Sequence, residues 1–245
     1  MEINKDIELF DLAIYLREKN ILIISDTHIG FEEALNKQGL LVPRFQFKDI
    51  IIRLEKIFNG INSKYKNDEF DNIIINGDIK HEFGRISETE WRHTLKLIDF
   101  LLKKTNEIIL IKGNHDTILG PIAKKRKVKV VDEFVVDDIL VLHGDKIPKN
   151  LSRRKQIKTI IIGHEHPAVS LEEMGRMEIY KCFLLGKFKN KDLIVQPSFN
   201  LVTEGTDILK QNLLSPFLKD IKDFRILVAG EEIYDFGKVK DLIKQ

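Results

Sequence analysis

The chain has one cysteine, Cys182, among its 245 residues. A lone thiol excludes an intramolecular disulfide and a thiolate zinc cluster, reads as a small core residue, and makes a reducing, cytoplasmic setting the simple expectation. Long hydrophobic runs are also missing: no stretch approaches the ~20 apolar residues of a membrane-spanning helix, so no membrane partner is expected. The first twenty residues hold five acidic side chains and no unbroken apolar segment, unlike a signal peptide or targeting sequence. No glycine-rich phosphate-binding consensus occurs, which argues against a nucleotide-hydrolysing motor. With six prolines and 14 glycines there is no linker-like tract, and neither an internal repeat nor a low-complexity segment interrupts the chain. One domain over residues 1–245 is therefore expected. Nor is there a surplus of charge of one sign: 40 Lys and Arg against 38 Asp and Glu leave +2, so attraction for an anion has to be local.

What is present is a repeated pattern. Five apolar runs, Ile21 to Ile24, Ile73 to Ile75, Ile108 to Ile111, Ile139 to Leu142 and Ile160 to Ile162, are short, rich in β-branched residues and unalternating, as strands buried on both faces should be. Each ends in polar residues that favour metals: Asp26-Thr27-His28, Gly77-Asp78-Ile79-Lys80-His81, Gly113-Asn114-His115-Asp116, His143-Gly144-Asp145 and Gly163-His164-Glu165-His166. The pattern predicts five strand ends converging on one edge of a sheet. Six of the seven histidines fall inside these motifs. The seventh, His93, lies in a predicted helix and reads as a core histidine.

Between the motifs the chain reads as α/β. A strand over Leu12 to Leu16 precedes the first run, and helical spacing covers Phe31 to Gln38 and Phe47 to Asn59, with Pro43 between them. Such a crossover forces the strands at Ile21 and Ile73 to be parallel. A helix over Glu88 to Lys104, with Ser87 as its N-cap, leads into the Ile108 strand. Beyond Gly120-Pro121 come many short strands, expected to form a second, largely antiparallel sheet packed on the first. A hydrophobic content of 43% suffices for a continuous core, and plentiful Ile, Lys and Glu with little Gln suit a thermophile.

The motif side chains are carboxylates, imidazoles and an amide, without thiolate, which suits Mn²⁺, Fe²⁺ or Zn²⁺. They are too many for one ion. Two ions sharing a carboxylate would sit roughly 3.5–4 Å apart, suited to activating a water and holding phosphate oxygens during in-line displacement. With Asp26 and Asp78 as the only anionic ligands, such a pair would leave the pocket about two units positive before its hydroxide is counted. A pocket of that kind attracts phosphate whatever the net charge.

The ordered series Asp26-x-His28, Gly77-Asp78-x-x-His81, Gly113-Asn114-His115-Asp116, His143, Gly163-His164-x-His166 resembles the calcineurin-like metallophosphoesterase superfamily over Ile21 to His166. Gly163 to Val169, Lys181-Cys182-Phe183-Leu184 and Pro197-Ser198-Phe199 are similar to archaeal phosphoesterases related to the nuclease SbcD and to DNA-ligase-associated phosphoesterases. The resemblance implies a four-layer αββα sandwich, with two mixed β-sheets flanked by helices. It implies one metal on Asp26, His28, Asp78 and His166 and a second on Asp78, Asn114, His143 and His164, with Mn²⁺ first and Fe²⁺, Zn²⁺ or Ni²⁺ as alternatives. By the same resemblance His115 would protonate the leaving oxygen, a role that suits imidazole, and Asp116 would orient His115 and favour its protonated form. Asp145 and Glu165 match no ligand of the family.

His81 points to the substrate. Members that act on phosphomonoesters often have arginine there, whereas repair nucleases have histidine, so the resemblance implies phosphodiester hydrolysis of DNA by a bridging hydroxide, with repair proteins as partners. A singly charged or neutral donor suits a diester monoanion, while arginine pairs bidentately with a more highly charged terminal phosphate. The alternative is that His81 braces a ligand. The chain ends without the capping region of the larger repair nucleases, so endonuclease action or cleavage of small diesters is expected ahead of processive degradation. A broad phosphatase, a cyclic-nucleotide phosphodiesterase and a non-catalytic scaffold are the competing functions. Two basic segments, Lys124 to Lys127 and Lys149 to Lys158, read as loops that either grip a nucleic-acid backbone or face solvent, and Phe45, Phe47, Phe183 and Phe188 read as packing residues.

Overall fold

The computed structural model describes residues 1–243 apart from 85, 117, 118, 127 and 174. The first half of the chain forms β1 (Ile7–Phe10), β2 (Ala13–Leu16), β3 (Ile21–Ser25), α1 (Phe31–Lys37), α2 (Gln46–Tyr65), β4 (Phe70–Asn76), α3 (Glu88–Leu101), β5 (Thr105–Ile111), α4 (Gly120–Arg126) and β6 (Lys129–Val131). These strands make one six-stranded sheet in chain order, antiparallel from β1 to β3 and parallel from β3 to β6. The second half supplies β7 (Glu133–Val136), β8 (Ile139–Leu142), β9 (Thr159–Ile162), β10 (Pro167–Glu173), β11 (Arg176–Phe188), β12 (Lys191–Val195), β13 (Thr206–Asp207), β14 (Arg225–Ala229), β15 (Ile233–Lys238) and α5 (Val239–Leu242). They form a second, mixed sheet, in which the parallel strands β8, β9 and β12 lie next to one another.

The expected single edge is thus two facing edges. β3, β4 and β5 carry the first three motifs on one sheet, while β8 and β9 carry the last two on the other. A run of buried isoleucines reads the same in either sheet, because both faces are covered in each. Register then aligns the ends. Ser25 pairs with Asn76 and Asn76 with Ile111 in the first sheet, and Leu142 pairs with Ile162 in the second, so each motif leaves its sheet at one level.

One core fills the space between the sheets and beneath the helices, from Ile24, Ile75 and Leu110 to Val141, Ile161 and Phe183, with α2 and α3 adding Leu54, Ile57, Leu97 and Ile98. A second core lies on the outer face of the second sheet, where Ile208, Phe217, Leu218, Ile221 and Phe224 of an irregular segment cover Leu184, Leu193 and Ile226. This outermost layer is mostly irregular chain, completed by a short 3₁₀ turn (Leu151–Arg153) and α5. Gln196, fully buried, joins the sheets: its amide nitrogen donates to the carbonyls of Leu12 and Ile23, at 2.9 Å each. Phe199 N donates to Ser25 O at 2.7 Å, and Lys181 Nζ to Ser198 Oγ at 3.0 Å, so the Lys181 and Pro197 to Phe199 segments dock one sheet on the other.

Some elements differ from expectation. β1 was not expected and pairs with β2 through a turn at Asp11, which adopts φ 55°. α2 runs on to Tyr65 because Ile61 continues its buried stripe past Gly60, and Lys66, at φ 55°, ends it. Lys124 to Arg126 are not a loop but the end of α4, whose Ile122 is buried. Arg126 pairs with Asp99 and Lys125 Nζ lies 5.8 Å from the Trp91 ring centre, so these charges are spent on α3; Lys127 lies outside the described residues. In the other basic segment Arg154 pairs with Glu133 (2.6 Å) and Lys158 with Asp138 (2.8 Å). Phe183 is buried and Phe47 and Phe188 half-buried, but Phe45 is exposed. No helix among the described residues is long and apolar enough to cross a membrane.

Ser87 caps α3 as its sequence suggested, accepting from Glu90 N at 3.1 Å while the Glu90 carboxylate accepts from Ser87 N at 2.8 Å. Glu90 is fully buried and also takes the amides of His81 (3.1 Å) and Glu82 (2.7 Å), so one carboxylate holds both a helix start and the loop after the second motif. Glu90→Ala leaves these donors unsatisfied and should lower stability by about 3 kcal/mol, against about 1 kcal/mol for Ser87→Ala. Urea unfolding of both variants checks this, and equal losses would contradict it.

Candidate metal centre

The motif loops bend so sharply that side-chain residues occupy a region glycine usually holds. Asp26 (φ 50°), His28 (43°), Asp78 (32°), His164 (66°) and His166 (51°) all have left-handed backbones. Asp, Asn and His are the residues most tolerant of that region, yet each instance costs of order 1–3 kcal/mol and persists only where its surroundings impose it. Here they do. His28 N donates to Asp78 O at 2.9 Å and Ile29 N to Ile79 O at 3.0 Å, which ties the first loop to the second. His164 N donates to Asp26 Oδ2 (2.9 Å) and His115 N to Asp78 Oδ1 (2.8 Å), so each buried carboxylate holds a loop from elsewhere. Two glycines make room: a Cβ on Gly77 would lie 1.9 Å from His143 Nδ1, and one on Gly113 would lie 2.0 Å from Asp78 Oδ1.

All seven residues expected to hold metal come together, in two groups. In the first, Asp26, His28 and His166 place their ligand atoms within 4.8 Å of one another, with His28 Nε2 3.3 Å from His166 Nε2 and His166 Nε2 3.6 Å from Asp26 Oδ2. The second joins Asp78, His143 and His164 by the same measure; His143 Nε2 lies 3.1 Å from His164 Nδ1 and 2.9 Å from Asn114 Oδ1. Asp78 Oδ2 reaches both, 3.4 Å from His143 Nε2 and 3.8 Å from His28 Nε2. Ring nitrogens turned toward one another, and a buried Asp26 Oδ1 without a hydrogen-bond partner, are what a donor set shaped for cations presents. Two carboxylates, four imidazoles and an amide oxygen fit a pair of divalent ions.

His81 and His115 stand beside His28, the three forming another group within 4.8 Å. The expected contact from Asp116 to the His115 ring is absent. Asp116 Oδ2 instead accepts from the amides of Gly113 (3.1 Å) and Ile79 (3.3 Å), shaping the loop, while His115 Nδ1 lies 2.6 Å from the carbonyl of His81. Orientation of His115 thus falls to that carbonyl, which fixes the proton on Nδ1. Glu165 is buried and takes the amides of Leu214 and Ser215 at 2.8 Å each. His93 stacks on Phe47 at 4.7 Å, as a packing histidine. Sequence reasoning missed Lys80, fully buried, whose Nζ donates to the carbonyls of Glu82 and His115. It also missed Gln46, whose amide nitrogen donates to Thr27 O (3.2 Å) and His28 O (3.0 Å). Neither residue type signals a site; the cue available was a charged residue inside an otherwise apolar motif, Ile79-Lys80.

Burial governs the electrostatics. It raises Asp78 to about 9, with Asp26 and Asp116 adding to the effect, and raises Asp116 to about 6 against the pull of the Gly113 and Ile79 amides. Asp26 goes the other way: the histidines around it, His166 foremost, outweigh its desolvation and hold it ionised. Burial lowers His28 and His143, and takes His81 and His164 down to about 4. Near neutral pH the metal-free centre therefore keeps a proton on Asp78 and none on these four rings. Cations must displace the Asp78 proton, so below the Asp78 value of about 9 loading should release protons and weaken as the pH falls. Calorimetric Mn²⁺ titration in buffers of different ionisation enthalpy measures it, and loading without proton release would refute the assignment.

The calcineurin-like phosphoesterase family model matches residues 19–168. None of the curated proteins matches the chain. Among solved structures, a protein of unknown function from Aquifex aeolicus is 20% identical over 63% of this chain and 81% of its own, with a TM-score of 0.39. Wild-type Vps29 of Entamoeba histolytica, complexed with Zn²⁺, is 14% identical over 89% of this chain and 99% of its own (TM-score 0.38). Yfce, a phosphoesterase from E. coli, is 13% identical over 84% and 87% (TM-score 0.37). Likenesses this distant bear on neither substrate nor partner. The family match, in contrast, takes in all five motifs and more than half of the 245 residues, and the chain belongs to the calcineurin-like phosphoesterase family.

Proposed function

We propose that this phosphoesterase is a metal-dependent phosphodiesterase acting on DNA. The observation that carries the two-ion part of the reading is the position of Asp78 Oδ2 between the two donor groups, 3.4 Å from His143 and 3.8 Å from His28. On this reading Asp26, His28, Asp78 and His166 hold one ion and Asp78, Asn114, His143 and His164 the other, with Mn²⁺ proposed first and Fe²⁺, Zn²⁺ or Ni²⁺ equally compatible with the oxygen and imidazole donors. When bound, such a pair supplies Lewis acidity toward the phosphate and an activated water.

The chain's own residues do the rest. His115, with Nδ1 fixed on the His81 carbonyl, presents Nε2 as the atom that delivers a proton to the leaving oxygen. His81, held uncharged at neutral pH by burial, supplies at most one neutral hydrogen bond. That suits the single negative charge of a diester better than the dianion of a terminal phosphate. A cleft of about 370 Å³ beside His143 is lined by Lys112, Lys146 and Lys149 as well as Asp132 and Asp145. Lys112 pairs with Asp132 at 3.3 Å, which leaves Lys146 and Lys149 as candidates for phosphate contacts along a strand.

Turnover of a mono-aryl phosphate, a bis-aryl phosphate and single-stranded DNA by Mn²⁺-loaded protein tests the reading. Preference for the monoester would overturn the diester assignment, and inertness toward all three would favour a scaffold. Asp78→Ala should lose both ions and all activity. His115→Ala should keep both ions and slow turnover by about 10²–10⁴-fold, most for poor leaving groups. Metal content and leaving-group dependence read the two separately, and equal loss of metal in both variants would contradict the roles.

A further inference from the structure

Phe83, four residues before Ser87, the N-cap of α3, is 64% exposed. An exposed phenylalanine is unremarked on most surfaces, but this one stands edge-on to His115, ring centres 5.5 Å apart and planes at 80°. Rings continue inward from His115 to His81 (5.6 Å, 26°) and from His81 to Phe31 (4.4 Å, 86°), so Phe83 is the outer end of a row. The backbone beneath it is anchored. Glu82 N donates to Glu90 Oε1 at 2.7 Å, Lys37 pairs with the Glu82 carboxylate at 3.1 Å, and buried Lys80 holds the carbonyls of Glu82 and His115 with one ammonium group. Lys80 therefore couples the segment that carries Phe83 to the loop that carries His115. The ring thus stands exposed on a fixed support next to His115, and on the reading above what lies beside the proton donor during hydrolysis is the leaving group.

We infer that Phe83 forms a subsite for a leaving group with a flat, apolar face, stacking on the base of a nucleoside or on the ring of an aryl alcohol that departs with the oxygen His115 protonates. This rests on the phosphodiesterase reading, which assigns the leaving side to His115. Nucleosides and simple aryl alcohols share the required chemistry. Carbohydrate and other aliphatic leaving groups lack it, because a stacked ring gains from a π-face and from the apolar area it covers.

Two measurements test the subsite. In the first, Mn²⁺-loaded protein cleaves a dinucleotide and its counterpart with an abasic sugar on the leaving side, which keeps the leaving oxygen and removes only the base. The wild type should prefer the base-bearing substrate by about tenfold in kcat/KM, Phe83→Ala should reduce the preference to within about twofold, and Phe83→Trp should retain it. The second needs no turnover: phenylphosphonate should bind the loaded wild type about tenfold more tightly than methylphosphonate and lose that advantage in Phe83→Ala. A preference seen with phenylphosphonate alone supports a small aryl ester as the occupant; seen with both, a nucleoside. Equal use and equal binding in the wild type, or a preference that survives Phe83→Ala, overturns the subsite. Failure to cleave any diester while the phenyl preference persists would instead remove the diester assignment.

Discussion

The Asp78 carboxylate is where the two sheets meet. One oxygen takes the His115 amide at 2.8 Å and fixes the third motif, while the other lies between His28 of the first motif and His143 of the fourth. A buried carboxylate so surrounded is not stable as a bare anion next to Asp26 and Asp116, and burial pushes it up to about 9. It needs either a proton or cations. That need connects the fold to the proposed chemistry, because the burial that favours a proton on Asp78 would equally favour cations on either side of it.

Strain and core are connected in the same way. Five candidate donors in left-handed backbone, each costing of order 1–3 kcal/mol, would not persist on flexible loops. They are short continuations of strands whose isoleucines are nearly fully buried, each worth about 1.5–3 kcal/mol relative to exposure. Strand burial is therefore large enough to impose the strained ends, and register between neighbouring strands sets their level. A further set of polar residues, Lys80, Glu90, Gln46 and Gln196, is buried without touching the donor groups as ligands. These side chains satisfy backbone groups of the motif loops and of the sheet beneath them. Satisfying those groups keeps irregular backbone affordable inside a core.

Much of this was legible in the residues alone. Isoleucine runs marked β3, β4, β5, β8 and β9, and the polar clusters after them named every side chain in the two donor groups. Period and capping residues located α2 and α3, although α2 continued past Gly60. Less could be read where the signal depends on contact. Asp116 stands next to His115 in sequence, which suggested that it orients the ring, yet consecutive residues in a turn point apart and its carboxylate went to Gly113 and Ile79. Lys124 to Arg126 looked like a basic loop because their partners, Asp99 and the Trp91 ring, come from a helix twenty or more residues earlier. Phe83 has no pattern of its own and gains meaning only from its distance to His115.

The sequence by itself determined the strands, the donor chemistry and the order in which donors occur, since burial preference and ligand type are properties of each residue. Tertiary structure alone decided that the five strand ends belong to two sheets rather than one, and that a carbonyl rather than a carboxylate holds His115. Those outcomes depend on distances between segments far apart in the chain. They are set by strand register and by buried hydrogen bonds that no local pattern encodes.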